Sequence, residues 1–280
     1  MNTKRKQRLT RIFCLHLPLA FFLVITLAPF YWIVVTSLKN STEVFAKPLT
    51  YWPKELTILN YTNLFQKLGF DKYFLNSMIV SVSTTFIVSV LALLGGYAMS
   101  RYRFRGKGAM YILLLFSQMF PAVVLMIPLF DTMNKLRLIN SLTSLVITCS
   151  VSNLPFCLFM MMGYYNSIPR SLEEAAQVDG SSLVGAVFRV LLPTMRPSIV
   201  ATGAYAFINT WNVFVYATAF ITDKDKYTIP LALNIFQGEF NTNYSGLAAG
   251  CVVALIPVLV IFGFIQKNLS GGATSGAVKG

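Results

Sequence analysis

The sequence predicts an all-α integral membrane protein with six transmembrane helices, and three observations predict it. Of 280 residues, 55% are hydrophobic and 12% charged, against about 25% charged in an ordinary soluble domain. The charges are bunched, and cutting the chain at them leaves six charge-free windows at 12–38, 73–100, 108–130, 138–169, 197–222 and 240–266. Each is longer than the ~20 residues that a helix rising ~1.5 Å per residue needs to cross ~30 Å of hydrocarbon. A charge near the bilayer centre costs roughly 2.5–3.5 kcal/mol, which is why the windows are clean.

The first window follows Lys4, Arg5, Lys6, Arg8 and Arg11. Its apolar run is longer than the ~7–15 residues of a signal-peptide core, and no small-x-small cleavage site closes it. It is read as an uncleaved anchor behind a cytoplasmic N-terminus (1–11). Alternation then places 101–107, 170–196 and the tail 267–280 inside, and 39–72, 131–137 and 223–239 outside. Lys plus Arg number 14 inside and 9 outside, while acids number 3 and 7, in agreement with the positive-inside rule. The net charge of +13 flanks membrane spans and forms no continuous patch, so it excludes a nucleic-acid footprint. Cys14, Cys149, Cys157 and Cys251 fall inside the windows without metal-ligand spacing and read as small apolar residues.

In the outside loop 39–72, apolar residues at 61, 64, 65 and 68 fit a short amphipathic helix, either an interfacial anchor or a docking element. Span two closes on Gly95-Gly96-Tyr97-Ala98 and is stopped by Arg101-Tyr102-Arg103-Phe104-Arg105-Gly106-Lys107. Span three carries Pro121 and Pro128, span four Asn153 and Pro155, and span five Asn209, Thr210, Trp211 and Asn212. Polar and kinked positions at membrane depth face a helix bundle or a water-filled path, because lipid cannot satisfy them. Interhelical hydrogen bonds, averaging ~0.6 kcal/mol, are the alternative use. The small and flexible tail from Leu269 to Gly280 reads as a disordered end.

No catalytic constellation is present. The single histidine, His16, allows neither a His-Glu-x-x-His zinc site nor a histidine-based triad, and no G-x-x-x-x-G-K-[ST] phosphate loop occurs. The chain is therefore read as a protein without catalytic residues, resident metal or cofactor, and not as an enzyme. The windows hold no Asp, Glu, Lys or Arg, which disfavours a proton- or sodium-driven carrier.

The most informative segment is the inside loop 170–196. Ser171 with Glu174 has the spacing of a capping box, which starts a short helix at Leu172. Gly180 supplies a left-handed stop. Ser181 or Ser182 then caps a second helix through Leu183, Val184, Val187 and Phe188, ending before Pro193. The expected product is a helix-turn-helix hairpin on the inner side. Its Ala175-Ala176 face is small enough for another protein to approach, with Glu174 placed to meet a partner's cation.

Glu174-Ala175-Ala176, three residues, Gly180, nine residues, then Val190-x-Leu192-Pro193 resembles the EAA loop of ABC importer permeases, with Val190 where the family has Ile. Tyr97-Ala98-Met99-Ser100-Arg101, Met119-Phe120-Pro121, Trp211-Asn212-x-Phe214, Lys226-Tyr227-Thr228-Ile229-Pro230, Phe236-Gln237-Gly238 and the ending Gly276-Ala277-Val278-Lys279-Gly280 are similar to the carbohydrate importer permeases of the maltose type.

The resemblance implies a type I ABC importer permease architecture in a bacterial cytoplasmic membrane. It also implies a second homologous permease, an external solute-binding protein, a sugar substrate, and a cytoplasmic ATPase dimer that holds ATP and magnesium. It makes Glu174, Ala175, Ala176, Gly180 and Pro193 the ATPase-coupling positions. Asn153, Asn209, Trp211 and Asn212 become substrate-path candidates, since an indole face stacks on a sugar ring and an amide pairs with hydroxyls. The family often has a polar or acidic residue where Val213 stands, which leaves open which permease holds the main site. The tail would reach between the ATPases, a reading that competes with a disordered end. A permease for another solute such as glycerol-3-phosphate, or an ATP-independent channel or carrier, are the alternatives.

Overall fold

Where the charge-free windows lie, the backbone has no water to bond with and closes its own hydrogen bonds as helix. A computed structural model describes residues 15–237 and 242–276, with side chains described up to Gln266. The basic segment 1–11, Cys14, Gly238 of the Phe236-Gln237-Gly238 motif and the terminal residues 277–280 lie outside the described residues. Among those described there are helices, turns and one isolated bridge, Gln237 to Thr242, with no sheet.

The helices are α1 (Leu17–Ser37), α2 (Leu59–Gln66), α3 (Phe70–Arg101), α4 (Lys107–Ser117), α5 (Ala122–Lys135), α6 (Leu142–Ser167) and α7 (Ser171–Val178). They continue as α8 (Leu183–Thr194), α9 (Arg196–Trp211), α10 (Val215–Phe220), α11 (Ile229–Leu233) and α12 (Tyr244–Gly276). By length and composition four of them, α1, α3, α6 and α12, can cross a membrane unbroken, and the candidate spans number up to six if each of two bent pairs, α4 with α5 and α8 with α9, is one span.

Two of the six windows are each divided between helices. Window 108–130 is α4 and α5, bent by 104°. Pro121, at φ −60° and ψ 137°, caps α5, and a proline pushes the residue before it out of the helical region. Window 197–222 is α9 followed by the separate α10, and α9 itself meets α8 at 76°. The second hairpin helix does not end before Pro193 but runs on to Thr194. A π-helical stretch at Val187–Leu191 precedes the proline, widening the coil where its ring and missing N–H disturb an α-helix. The expected disordered tail is also corrected in part, because α12 continues to Gly276.

The chain forms two compact units, one of residues 1–70 and 233–255 and the other of 71–232 and 256–280. In the first, the expected short amphipathic helix is α2, with Leu64 buried and Phe65 exposed. Asn60 of α2 ties off α1 by donating to the Ser37 and Lys39 carbonyls at 2.8 and 2.9 Å, and Tyr61 shares a 2.7 Å hydrogen bond with Ser37. The buried Lys39 ammonium donates to the Thr50 carbonyl and lies 4.9 Å from the Trp32 ring centroid, a cation–π contact. Glu43 fastens the loop by accepting from Thr50 Oγ1 at 2.8 Å and from the Lys54 backbone N–H at 2.9 Å.

In the second unit, α3 and α6 approach without side chains between them at Gly96. A Cβ there would sit 2.8 Å from Met161 Cβ and 3.0 Å from the Met162 backbone nitrogen. Around this contact Val88, Ala92, Cys157, Met161, Tyr165 and Leu191 form a buried cluster. A second cluster packs Val80, Met133, Leu145, Tyr216 and Phe220.

Gly96→Val is expected to lower stability by roughly 1–3 kcal/mol through overpacking, read as a lower thermal midpoint in detergent. The Lys54 N–H holds the Glu43 carboxyl below its ordinary range, followed in order by an opposing effect of burial and a supporting bond from Thr50. A depressed carboxylate contributes stability above its unfolded pKa and loses it as pH falls through the folded one. The protection factor of the Lys54 amide, its exchange rate relative to the unfolded chain at the same pH, should therefore fall in acid, and Glu43→Gln should remove that pH dependence.

Candidate functional site

The hairpin exists, and its turn is built as the glycine implies. Gly180 has φ +85°, its N–H bonds the Gln177 carbonyl at 3.0 Å, and the Ser181 N–H bonds the Ala176 carbonyl at 2.9 Å. These are the two bonds of a Schellman stop. Ser182 then caps α8 by accepting from the Gly185 N–H at 3.1 Å.

The capping box at Ser171 does not form. Arg170 is the N-cap, in helical conformation, and no side chain caps the helix. The Arg170 guanidinium donates to the carbonyls of Ser100 and Arg101 at 3.4 and 3.0 Å, which draws it into the helical turn and puts Ser171 one place too far in. The Arg170 carbonyl instead accepts from the Glu173 and Glu174 N–H groups at 2.9 and 3.1 Å.

Helical periodicity divides the coupling candidates between two faces. Glu173 and Ala176 are buried, whereas Glu174, Ala175 and Val178 are exposed, as is Gly180 beyond the helix. Ala176 therefore packs on its own chain. Pro193 lies outside α7, in the last turn of α8.

The seat of α7 is a residue that sequence reasoning passed over. Glu173 Oε1 accepts from Arg101 Nε at 2.5 Å and its Oε2 accepts from the Tyr97 hydroxyl at 3.0 Å. Both charged side chains are 8% exposed. A further guanidinium nitrogen of Arg101 donates to the Ile168 carbonyl at 3.0 Å, at the end of α6. One buried carboxylate thus bolts α7 to the last turn of α3, and the same arginine reaches α6. The available signal was the i, i+4 spacing of Tyr97 and Arg101, which puts both donors on one face of α3. Nothing local said which of two adjacent glutamates they would meet.

The substrate-path candidates are not brought together as a set. Asn153 is buried, donating to the Cys149 carbonyl at 2.8 Å and to Thr210 Oγ1 at 3.3 Å. Trp211 is 3% exposed, with Phe207 stacked at 5.6 Å and Phe74 edge-on at 5.7 Å. Neither its face nor the Asn153 amide is presented to a sugar in this conformation. Asn209 and Asn212 are exposed on α9, each donating to the carbonyl one turn back, at 3.1 and 2.8 Å.

Asn209 belongs to a strip that the sequence did not single out. Its partner carbonyl is that of Tyr205, whose ring lies 4.3 Å from that of Phe156 on α6. One turn before Phe156, the Ser152 carbonyl accepts from Gln118 at 3.3 Å, at the break between α4 and α5. Amide, aromatic and amide groups are thereby linked across three helices.

Residues 90–274 match the family described as binding-protein-dependent transport system inner membrane component. The chain belongs to this family. The matched range covers the seat, the hairpin and the strip, and it makes the protein a multi-pass inner-membrane permease component and not an enzyme. This permease is 34% identical over 258 residues to the sulfoquinovosyl glycerol transport system permease protein SmoH of Agrobacterium fabrum, covering 92% of this chain and 90% of that one. It is 31% identical over 280 residues to the arabinooligosaccharides transport system permease protein AraQ of Halalkalibacterium halodurans, covering 99% and 100%. Its fold matches a chain of a crystallised bacterial ABC transporter involved in the import of the acidic polysaccharide alginate. The TM-score is 0.78 at 22% identity, over 93% of this chain and 97% of the other.

Removing one partner of a buried ion pair costs about 3–5 kcal/mol because the other charge is left unpaired. Glu173→Gln and Arg101→Met are each expected to fall in that range by thermal unfolding. The double variant should be less destabilised than the sum of the two, and Glu174→Gln should stay within about 0.5 kcal/mol of the parent.

Proposed function

We propose that this chain is a permease subunit of an ATP-driven importer of a sugar or oligosaccharide, with α7 and α8 as the lever that a separate ATPase moves. The observation that carries the proposal is the division of α7. Its inner face is bolted to α3 through Glu173, and its outer face offers Glu174, Ala175, Val178 and the Gly180 turn to another protein. An element that is rigidly joined to a span on one side and bare on the other can transmit a push.

In this reading the hairpin and both termini are cytoplasmic. A second homologous permease completes the pore, a solute-binding protein delivers substrate from outside, and the ATPase dimer holds ATP and magnesium. SmoH and AraQ carry carbohydrate substrates in their names, which supports a sugar here. The strip of Gln118, Phe156, Tyr205 and Asn209 has the chemistry for one, since aromatic faces cover pyranose carbons and amides pair with hydroxyls. Asn212 extends the strip along α9. Those groups include no cation, which favours a neutral sugar over glycerol-3-phosphate.

Liposomes containing this chain alone should show no sugar flux, and liposomes containing the full complex should show flux that requires ATP. Flux from the chain alone would overturn the proposal in favour of a channel or carrier. Val178 is 87% exposed, so Val178→Asp should leave the thermal midpoint unchanged while lowering ATPase-subunit binding and uptake by tenfold or more. With the native cysteines removed, Val178→Cys should react with a membrane-impermeant maleimide in inverted vesicles and not in intact cells. The reverse pattern would put the lever on the wrong side.

A further inference from the structure

A cavity of about 470 Å³ opens beside the hairpin, between the last turns of α3 and the length of α8. Its walls include Leu94, Tyr97, Tyr102, Val184 and Phe188. The lining is overwhelmingly apolar, and the Tyr97 hydroxyl is already given to Glu173. Water gains nothing in such a space, because a buried water needs two or more polar partners. Leu94, Val184 and Phe188 are also more than 60% exposed at the rim. The cavity is therefore an open apolar groove and not a sealed core defect.

Cations adjoin the wall residues in the chain. Lys107 Nζ donates to the Tyr102 carbonyl at 3.3 Å, directly behind one wall residue. Arg103 follows Tyr102 in the chain, Arg105 lies two residues on, and Arg189 follows Phe188 on α8. All three arginines are exposed. None of these four cations is in an ion pair among the described residues, and the nearby Glu173 is consumed by Arg101. An apolar slot whose wall residues are flanked in the chain by unpaired cations matches a molecule with a hydrocarbon tail and a phosphate head. Basic pockets between membrane helices bind anionic headgroups on this principle, and each buried methylene of a tail adds to affinity.

We infer that this groove is a binding site for one anionic phospholipid, its acyl chain against Leu94, Val184 and Phe188 and its phosphate among Arg103, Lys107 and Arg189. The inference places the lipid in the inner leaflet, and in that respect rests on the cytoplasmic hairpin proposed above. The site gives a lipid direct contact with the lever, so the membrane's anionic content bears on how firmly α8 seats.

The test uses the complex purified with its partner subunits in neutral detergent, and phosphatidylglycerol carrying a photoreactive group midway along one acyl chain. Adducts mapped by mass spectrometry should concentrate on 90–97 and 183–192. Unlabelled phosphatidylglycerol should compete at least fivefold more effectively than phosphatidylcholine. Arg103→Gln with Arg189→Gln should cut that preference at least fivefold, since a surface cation is worth about fivefold, and an unchanged preference would overturn the inference. Val184→Trp, which fills the mouth from an exposed position, should cut labelling several-fold at an unchanged thermal midpoint.

Adducts spread evenly along α1 and α12 as well would show ordinary lipid solvation and overturn the inference. Equal competition by the two lipids would do the same. Labelling seen in the isolated chain but lost in the complex would show that another subunit occupies the groove, which also overturns it. None of these readouts needs transport: a complex that labels as expected but imports no sugar refutes the proposed function and leaves the lipid site standing.

Discussion

Two opposite charges taken out of water at the end of a membrane helix hold the functional half of this protein together. The Glu173 carboxylate and the Arg101 guanidinium are almost fully covered, so each is costly without the other, and their attraction acts in a poorly screened setting. The Tyr97 hydroxyl and the Ile168 carbonyl use further donor and acceptor capacity of the pair. This satisfaction separates a useful buried pair from a merely expensive one. The position of α7 follows from it, the Schellman bonds at Gly180 fix the exit from α7, and the Ser182 cap launches α8 from there. Leu191 at the far end of α8 is buried in the same cluster as Val88 and Met161. The hairpin is thus pinned at its start by charge and at its finish by packing, with its exposed face left between.

Charge-free windows are legible because the cost of a charge in hydrocarbon is paid at every position, so each window marks where membrane is. Continuity is a different property. Window 108–130 broke at Pro121, a proline that the sequence displayed, whereas window 197–222 broke at 212–214, where there is none. Pro155 and Pro257 lie inside helices that stayed whole. The proline itself does not decide the outcome. What decides is whether neighbouring groups re-satisfy the backbone or the chain gains more by turning, and those neighbours come from other helices.

The same distinction explains what could be read of the candidate site. Gly180 as a left-handed stop and a serine cap for α8 depend on residues within one turn, and both were legible. The Ser171 box was also a local reading, but Arg170 is drawn into the helix by carbonyls of α3 some seventy residues earlier. Glu173 was hidden for the same reason, because its partners are in another helix. Trp211 and Asn153 looked functional as polar or aromatic groups at membrane depth. The structure spends them on Phe207, Phe74, Cys149 and Thr210, the structural alternative that the polar-position rule always carries.

Adjacent glutamates on α7 show how little sequence distance separates two roles. Consecutive residues on a helix point about 100° apart, so a carboxylate facing the bundle and one facing solvent can be neighbours. Helix α9 repeats the device, with Thr210 turned to Asn153 and Asn209 turned outward. That helix also begins beside the hairpin: Met195, at the bend between α8 and α9, is buried with Leu191. Its 16 residues make a rod about 24 Å long, with the proposed lever at one end and the amides of the strip at the other. A push on the exposed face of α7 can therefore reach Asn209 through one rigid element, provided the Glu173 joint holds while the load is applied. A joint of ordinary surface charges would slip first, and this is the physical reason for burying it.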